Sequence, residues 1–139
     1  MKQLRFVIYG QPQGKQRPRV VTRGGATHGY TPAKTAAYER LVAEAYKQSF
    51  PGLEAHSGAV QIVIRAIYAV PKSWPAKRKQ EALSGLRLPT VCPDCDNILK
   101  IIADALNGVA WQDDRQISFA TVVKDYGVEP RVEVELWRL

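Results

Sequence analysis

Residues 97–107 separate apolar from polar side chains at helical spacing, which leaves few folds open to the chain. The apolar side comprises Ile98, Leu99, Ile101, Ile102, Ala105 and Leu106, and the polar side comprises Asn97, Lys100, Asp104 and Asn107. This division at a 3.6-residue period is typical of an amphipathic helix packed on a core. Asp96 stands at the expected N-cap, and Gly108 at the C′ position. We predict a buried helix that keeps one polar face.

Carboxylates gather around the start of this helix. Asp94 and Asp96 are two residues apart, so in an extended lead-in both side chains leave the same side of the backbone. Lys100 follows one turn later, and because helical side chains lean toward the N-terminus we expect it to point at both aspartates. Asp104 lies about 12 Å along the axis from Asp96, too far to share a metal ion with it.

The segment after the helix brings further acids. Residues 108–114 span up to roughly 20 Å when extended, enough to return beside the helix to its N-terminus. Asp113 or Asp114 can therefore join Asp94 and Asp96. Three acids held close repel one another, and a hard cation with oxygen ligands, Mg²⁺ or Mn²⁺, relieves the repulsion. The alternative interpretation is that the acids only cap helices and solvate turns.

The same segment resembles a known family signature. Its elements are Pro93-Asp94-x-Asp96-Asn97-x-x-Lys100, Asp104-Ala105-Leu106-Asn107-Gly108 and Asp113-Asp114-x-Gln116. In order and spacing they are similar to the RusA family of Holliday junction resolvases, which are small, dimeric, Mg²⁺-dependent DNA endonucleases of bacteria and their phages. The two cysteines beside the first acids fill positions that the family leaves variable.

The resemblance implies a role for each matching residue. Asp94, Asp96 and Asp114 would be the metal-binding catalytic acids, and Lys100 the catalytic lysine. The second-tier candidates are Asp113, Asn97 and Asp104. We expect Asp104 to fix the helix through Lys100 or through a partner across a dimer interface. Residues 92–116 are thus the predicted catalytic segment.

The charge balance points to a polyanionic partner. Twenty Lys and Arg residues face thirteen Asp and Glu residues, a net charge of +7. Residues 10–32, here called the arm, are punctuated by Gly and Pro without a helical or strand period. We predict that the arm is a basic DNA-contacting loop; the alternative is a mobile, solvated loop. Its predicted phosphate contacts are Lys15, Arg17, Arg19 and Arg23.

The remaining patterns predict one α+β domain over residues 1–139, with helices packed on a mixed sheet of about four strands. Strands are predicted at 3–9, 60–70, 116–124 and 130–139, and helices at 32–48, 76–84 and 97–107. The continuous apolar run of 60–70 indicates a central strand covered on both faces. We expect the last two strands to form an antiparallel pair joined by a turn near Tyr126. Thr31 is the predicted N-cap of the first helix.

Two motifs leave alternatives open. Cys92 and Cys95 form a C-x-x-C, but aspartates flank Cys95 and oppose thiolate formation, and only two histidines could complete a zinc site. We interpret them as ordinary thiols, with the hypothesis that their oxidation to a disulfide would distort the geometry at Asp94. Trp74, among basic residues, either stacks on an unpaired base or closes the core.

These residues and the resemblance together predict an enzyme that resolves four-way DNA junctions in recombination and repair. A homodimer follows from the resemblance and from the approximate two-fold symmetry of a junction. Two cysteines, no signal peptide and no apolar stretch of about 20 residues favour the cytoplasm and no membrane partner. A non-catalytic basic DNA-binding protein is the alternative, and a C-x-x-C redox protein the more distant one.

Overall fold

The computed structural model describes residues 2–16, 19–24, 26–30 and 32–139, with the backbone alone for 19–23 and 26–30. In these residues the strands are β1 (Lys2–Tyr9), β2 (Arg19–Arg23), β3 (Ala26–Tyr30), β4 (Val60–Ala69), β5 (Ile117–Gly127) and β6 (Arg131–Arg138). The helices are α1 (Ala33–Ser49), α2 (Ala76–Leu83), α3 (Cys95–Leu106) and the short 3₁₀ helix η1 (Asp114–Gln116). None of the helices described is long and apolar enough to cross a bilayer.

The main sheet has four strands in the order β1-β6-β4-β5. β4 pairs in parallel with β5 and antiparallel with β6, and β6 pairs antiparallel with β1. This mixed sheet with packed helices confirms the predicted α+β fold. The predicted pairing of the last two strands is wrong, because β4 lies between them. β4 is the most apolar strand and gains a hydrogen-bonded neighbour on each side, while the more exposed β5 takes the edge.

One face of the sheet carries the core. Ile62 and Ile64 of β4 are fully buried in a cluster that includes Val42 of α1 and Ile98 of α3. The opposite face is only partly covered, so the prediction of a strand buried on both faces is wrong. The Arg65 side chain is 56% exposed there and pairs with Asp125 of β5 at 3.5 Å.

The arm contains a hairpin of β2 and β3, so the prediction of an irregular loop is wrong for that part. Arg23 pairs with Ala26, which leaves a two-residue loop, and Gly24 has a φ of +56°. Glycine at position 24 suits such a loop because it tolerates positive φ. Thr31, the predicted cap of α1, lies outside the described residues, and Pro32 occupies the N-cap position.

Helix α3 begins two residues earlier than predicted. Its N-cap is therefore Asp94, while Asp96 lies in the first turn. The predicted apolar side is buried except for the partly exposed Leu99, and Gly108 follows with the positive φ of a C′ residue.

Candidate active site

The start of α3 presents two carboxylates that make no hydrogen bond or ion pair with the described residues. The Asp94 carbonyl accepts the Ile98 N–H at 3.0 Å, as an N-cap residue does, but the Asp94 side chain makes no capping hydrogen bond. Asp96 is exposed and has no hydrogen bond or ion pair among the described residues. Both acids lie where the helix dipole favours negative charge. Within the described residues, therefore, neither side chain is engaged, and both are candidates to bind a cation.

Two side chains from the sheet tether the segment that leads into α3. The hydroxyl of Tyr68, on β4, donates a 2.9 Å hydrogen bond to the Pro93 carbonyl. The Lys124 ammonium group, on β5, donates a 2.6 Å hydrogen bond to the Val91 carbonyl. Burial, with the nearby Cys95, Cys92 and Asp94, raises the pKa of Tyr68 to about 12. Sequence patterns predict that Tyr68 faces the core but carry no signal for its partner.

Lys100 points away from the first turn, so the prediction that it faces Asp94 and Asp96 is wrong. Its Nζ lies 3.1 Å from Asp104 Oδ1 and 3.8 Å from Asp114 Oδ2. The hydrogen bond with Asp104 raises the pKa of Lys100. The predicted helix-fixing contact between Asp104 and Lys100 is present, because residues four apart lie on the same helix face.

The chain returns beside α3 in a fixed conformation. Trp111 is fully buried and its indole N–H donates to Asn107 at 2.8 Å. Asp113 then caps η1 by accepting the Arg115 N–H, in a capping box completed by Gln116. The Gln116 amide also donates to the carbonyls of His56 and Gly58. Asp113 is thus held in a structural contact, while its neighbour Asp114 reaches Lys100.

Two adjacent depressions divide the predicted site residues. Asp96, Lys100 and Asp114 line a cleft of about 340 Å³, whose other walls are the apolar side chains of Leu99, Ala103, Ile117 and Ala120. Asp94 and Asn97 line a second pocket of about 400 Å³ with residues of the arm. The structure therefore brings Asp96 and Asp114 to one cleft and leaves Asp94 on its neighbour.

The carboxylate oxygens of the site are suitable ligands for a hard divalent cation, although they are not gathered around one point. Carboxylate oxygens from Asp96 and Asp114 face one cleft, and such oxygens are what Mg²⁺ and Mn²⁺ prefer. In the part of the chain that the structure describes, no group of three or more His, Cys, Asp or Glu side chains is gathered closely enough to hold a metal ion. Asp96 and Asp114 thus supply two such carboxylates to one cleft, and Asp94 would have to approach from the next pocket.

Lys15 forms an ion-pair network inside the protein, which the sequence patterns do not predict. Glu39, a member of this network, is not among the predicted site residues. Lys15 Nζ lies 2.9 Å from Glu39 Oε1 and 3.1 Å from Asp104 Oδ2. Burial lowers the pKa of Lys15, but the hydrogen bonds that it donates to Glu39 and Asp104 outweigh this effect and raise the pKa overall. The phosphate-binding role predicted for Lys15 stays a prediction. For the other predicted phosphate contacts no side chain is described, and these are Arg17, Arg19 and Arg23.

The remaining motifs have plain structural surroundings. The Trp74 ring packs edge-on against Tyr126 at 5.3 Å between centroids, and the Arg78 guanidinium lies 4.0 Å from the Trp74 centroid. Trp74 thus contacts β5 while it stays half-buried and outside the core cluster, so both interpretations of this residue remain predictions. Cys92 and Cys95 are both free, exposed thiols.

Comparison with known proteins agrees with the geometry. The family profile described as endodeoxyribonuclease RusA matches residues 9–137 of the 139. The chain is also 38% identical over 133 residues to YqaN of Bacillus subtilis (strain 168), a protein described as uncharacterized, covering 94% of this chain and 93% of that protein. A match across both the arm and the acidic segment excludes a chance likeness of one short motif. This chain belongs to the RusA family of endodeoxyribonucleases.

Proposed function

We propose that this protein is an Mg²⁺-dependent endodeoxyribonuclease that resolves Holliday junctions by paired cuts in opposite strands. Family membership supports endonuclease chemistry on branched DNA. The observation that carries the proposal is the state of the acids on α3. Asp94 occupies an N-cap without using its carboxylate, and Asp96 has no partner among the described residues. An aspartate whose role is to cap a helix accepts a backbone N–H with its side chain, as Asp113 does.

Asp96 and Asp114 are the proposed metal ligands from the shared cleft, with Asp94 joining from its edge. The helix dipole keeps the carboxylates of the first turn ionised, which is the form that binds a cation. When bound, Mg²⁺ (or Mn²⁺ as a substitute) would supply Lewis-acid activation of water and charge neutralisation at a backbone phosphate. The chain's own part is to hold three carboxylates in register with the DNA strand.

Lys100 is the proposed catalytic lysine. Its ammonium group stands beside Asp114 at the mouth of the cleft and remains charged, since Asp104 raises its pKa. A fixed positive charge there stabilises negative charge that develops on the phosphate in the transition state. Asp104 keeps the ammonium group in place, and Asn97, which lines the pocket next to the cleft, is proposed to contact the strand.

The arm supplies the proposed phosphate contacts, led by Arg17, Arg19 and Arg23. Its basic residues would set affinity without reading sequence, because phosphates carry no sequence information. We propose a homodimer acting in DNA recombination and repair in the cytoplasm, since a two-fold dimer would bring one site to each of two opposed strands of a four-way junction.

A non-catalytic DNA-binding protein is the second candidate. It accounts for the net charge of +7 but gives no reason for two carboxylates at the start of α3 that have no partner among the described residues. A C-x-x-C redox protein requires Cys92 and Cys95 to carry the activity, whereas the family match supports endonuclease chemistry. These candidates differ in what metal and substitutions do to cleavage.

The test is cleavage of a labelled four-way DNA junction, with and without Mg²⁺, by the wild-type protein and by Asp96→Asn. We expect metal-dependent paired cuts, reduced more than about 100-fold in Asp96→Asn, because a direct ligand contributes more than the roughly 10–100-fold of an outer-shell partner. Junction binding should persist in the variant.

The control is Asp125→Asn, which makes the same chemical change at the ion pair with Arg65 on the other face of the sheet. It should cut at the wild-type rate. Tight binding by the wild-type protein without any cutting in Mg²⁺ or Mn²⁺ would favour the non-catalytic candidate. The redox candidate would be favoured if the double variant Cys92→Ser, Cys95→Ser lost activity while Asp96→Asn kept it.

A further inference from the structure

Lys15 lies at the base of the arm with its charge directed into the protein. Its side chain is 17% exposed, and its two partners are similarly enclosed, Asp104 at 17% and Glu39 at 20%. A lysine that binds DNA phosphates has to present its ammonium group at the protein surface. This one is instead shared between a carboxylate of α1 and a carboxylate of α3.

The backbone of the same residue docks on the first turn of α3. The Lys15 N–H donates a 2.9 Å hydrogen bond to the Asn97 carbonyl. At the preceding residue, Gly14, an added Cβ would lie 2.6 Å from Pro93 Cβ and 3.1 Å from Asn97 Cβ. The base of the arm therefore fits closely against the catalytic segment. Lys15 touches α3 at Asn97 and again at Asp104, about 10 Å further along the axis.

Asp104 connects this docking to the catalytic lysine. Its Oδ2 faces Lys15 at 3.1 Å, and its Oδ1 faces Lys100 at 3.1 Å. Each oxygen of one carboxylate thus serves one lysine, and Lys100 continues to Asp114 at 3.8 Å. Without Lys15, the carboxylates of Glu39 and Asp104 would repel each other with no cation between them, and of the described residues only Lys100 would hold Asp104 in its present orientation.

We infer that Lys15 is a positioning residue, held by Glu39 and Asp104, that fixes the base of the arm on α3 and orients Asp104 and through it Lys100. This inference rests on the proposed function and gives Lys15 a different role from the arginines of the arm. It makes Glu39, on α1, a second positioning residue. Contact between the arm and DNA and the placement of Lys100 then depend on one ion-pair network.

The two possible roles of Lys15 predict different measurements. A phosphate-contacting lysine contributes to affinity, and its loss lowers the slope of log affinity against log salt concentration by about one. A positioning lysine contributes to the rate of the bound complex. We therefore propose measuring junction binding over a KCl series without divalent metal, and single-turnover cleavage in Mg²⁺ with the protein in saturating excess.

The variants are Lys15→Met and, as a charge-matched control, Lys34→Met. Lys34 lines the same pocket but is exposed and makes no ion pair within the described residues. We expect Lys15→Met to keep the wild-type salt slope while its single-turnover rate falls about tenfold or more, as for loss of a supporting partner. Lys34→Met should cleave at the wild-type rate under saturation. A slope lowered by about one in Lys15→Met, with an unchanged saturated rate, would overturn the inference.

Glu39→Gln keeps the proposal testable if Lys15→Met folds poorly. It removes no positive charge and lies outside the proposed contacts with DNA and metal, so a lower saturated rate with an unchanged salt slope supports the network. A wild-type rate in Glu39→Gln contradicts it.

Amide hydrogen exchange separates this inference from the proposed function. In Glu39→Gln the amide of residue 15 should exchange about tenfold faster than in the wild-type protein, while the Ile98 amide, bonded to the Asp94 carbonyl, stays protected. If the wild-type protein cuts no DNA, the proposed function fails, yet the exchange result still decides whether Lys15 fixes the arm. Unchanged exchange at residue 15 would refute that part whatever the cleavage result.

Discussion

The hydroxyl of Tyr68 donates a 2.9 Å hydrogen bond to the carbonyl oxygen of Pro93, and this contact ties the centre of the sheet to the residue before Asp94. Tyr68 is buried at the end of β4, and Lys124 makes a parallel contact to the Val91 carbonyl from β5. The lead-in to the first carboxylate is therefore positioned by the parallel pair β4 and β5 and does not depend on its own sequence alone.

Replacing Tyr68 by Phe should remove this tether and leave the packing of the ring. We expect a loss of about 1 kcal/mol in the free energy of unfolding, the usual contribution of one hydrogen bond. Single-turnover cleavage should fall several-fold at unchanged junction binding, because Asp94 is less well placed. Tyr9→Phe, on an exposed ring of β1, is the control. Equal rates for both variants would show that the tether has no effect on catalysis.

The same tyrosine makes stability depend on alkaline pH. Its pKa is about 12 in the folded protein, against about 10 for a free tyrosine, so between these values the unfolded chain loses a proton that the folded protein keeps. Stability contributed by Tyr68 is thus fully present below pH 10 and is lost as pH rises toward 12.

Chemical denaturation of the wild-type protein and of Tyr68→Phe at pH 9 and near pH 12 measures the stability that Tyr68 contributes at each pH. The difference in unfolding free energy between the two proteins should shift by roughly 2 kcal/mol against the wild type over that interval. Comparing the two proteins cancels the contributions of other tyrosines. A difference that does not change with pH would mean that the Tyr68 hydroxyl has an ordinary pKa.

Asp113 and Asp96 should differ in their contribution to stability. Asp113 accepts the Arg115 N–H at 2.9 Å, so Asp113→Ala should cost about 1 kcal/mol, as for other N-cap residues. Asp96→Ala should change stability by less than about 0.5 kcal/mol, because the lost dipole interaction is offset by the higher helix propensity of alanine. Urea denaturation of both variants decides between a structural and a free carboxylate. A large loss in Asp96→Ala would indicate a structural partner.

Gly14 should tolerate no side chain. A methyl group there would lie 2.6 Å from Pro93 Cβ, so Gly14→Ala should force the base of the arm away from α3. We expect about 1–3 kcal/mol of destabilisation, as for other overpacked sites, together with reduced cleavage. Gln13→Ala, one residue away, serves as the control. Wild-type stability in Gly14→Ala would show that the arm accommodates the added group without strain.

Local patterns in the sequence were sufficient for the four strands of the main sheet, for the three α-helices and for the identity of the acidic segment. The 3.6-residue period of α3, the apolar run of β4 and the spacing of Asp94, Asp96, Lys100 and Asp114 are all set by neighbouring residues, so each could be recognised without a structure. Element ends were less certain. The cap of α3 moved from Asp96 to Asp94, because both are good N-cap residues and packing of the first turn decides between them.

Only the tertiary structure decided which distant groups meet. The insertion of β4 between β5 and β6 depends on which edges bury most apolar surface, a property of the whole sheet. Lys15 meets Glu39 and Asp104 because the arm and α1 both converge on α3, and no local period encodes that convergence. The sequence shows that Lys15 carries a positive charge. Only the fold shows whether that charge meets a DNA phosphate or a partly buried carboxylate of the protein itself.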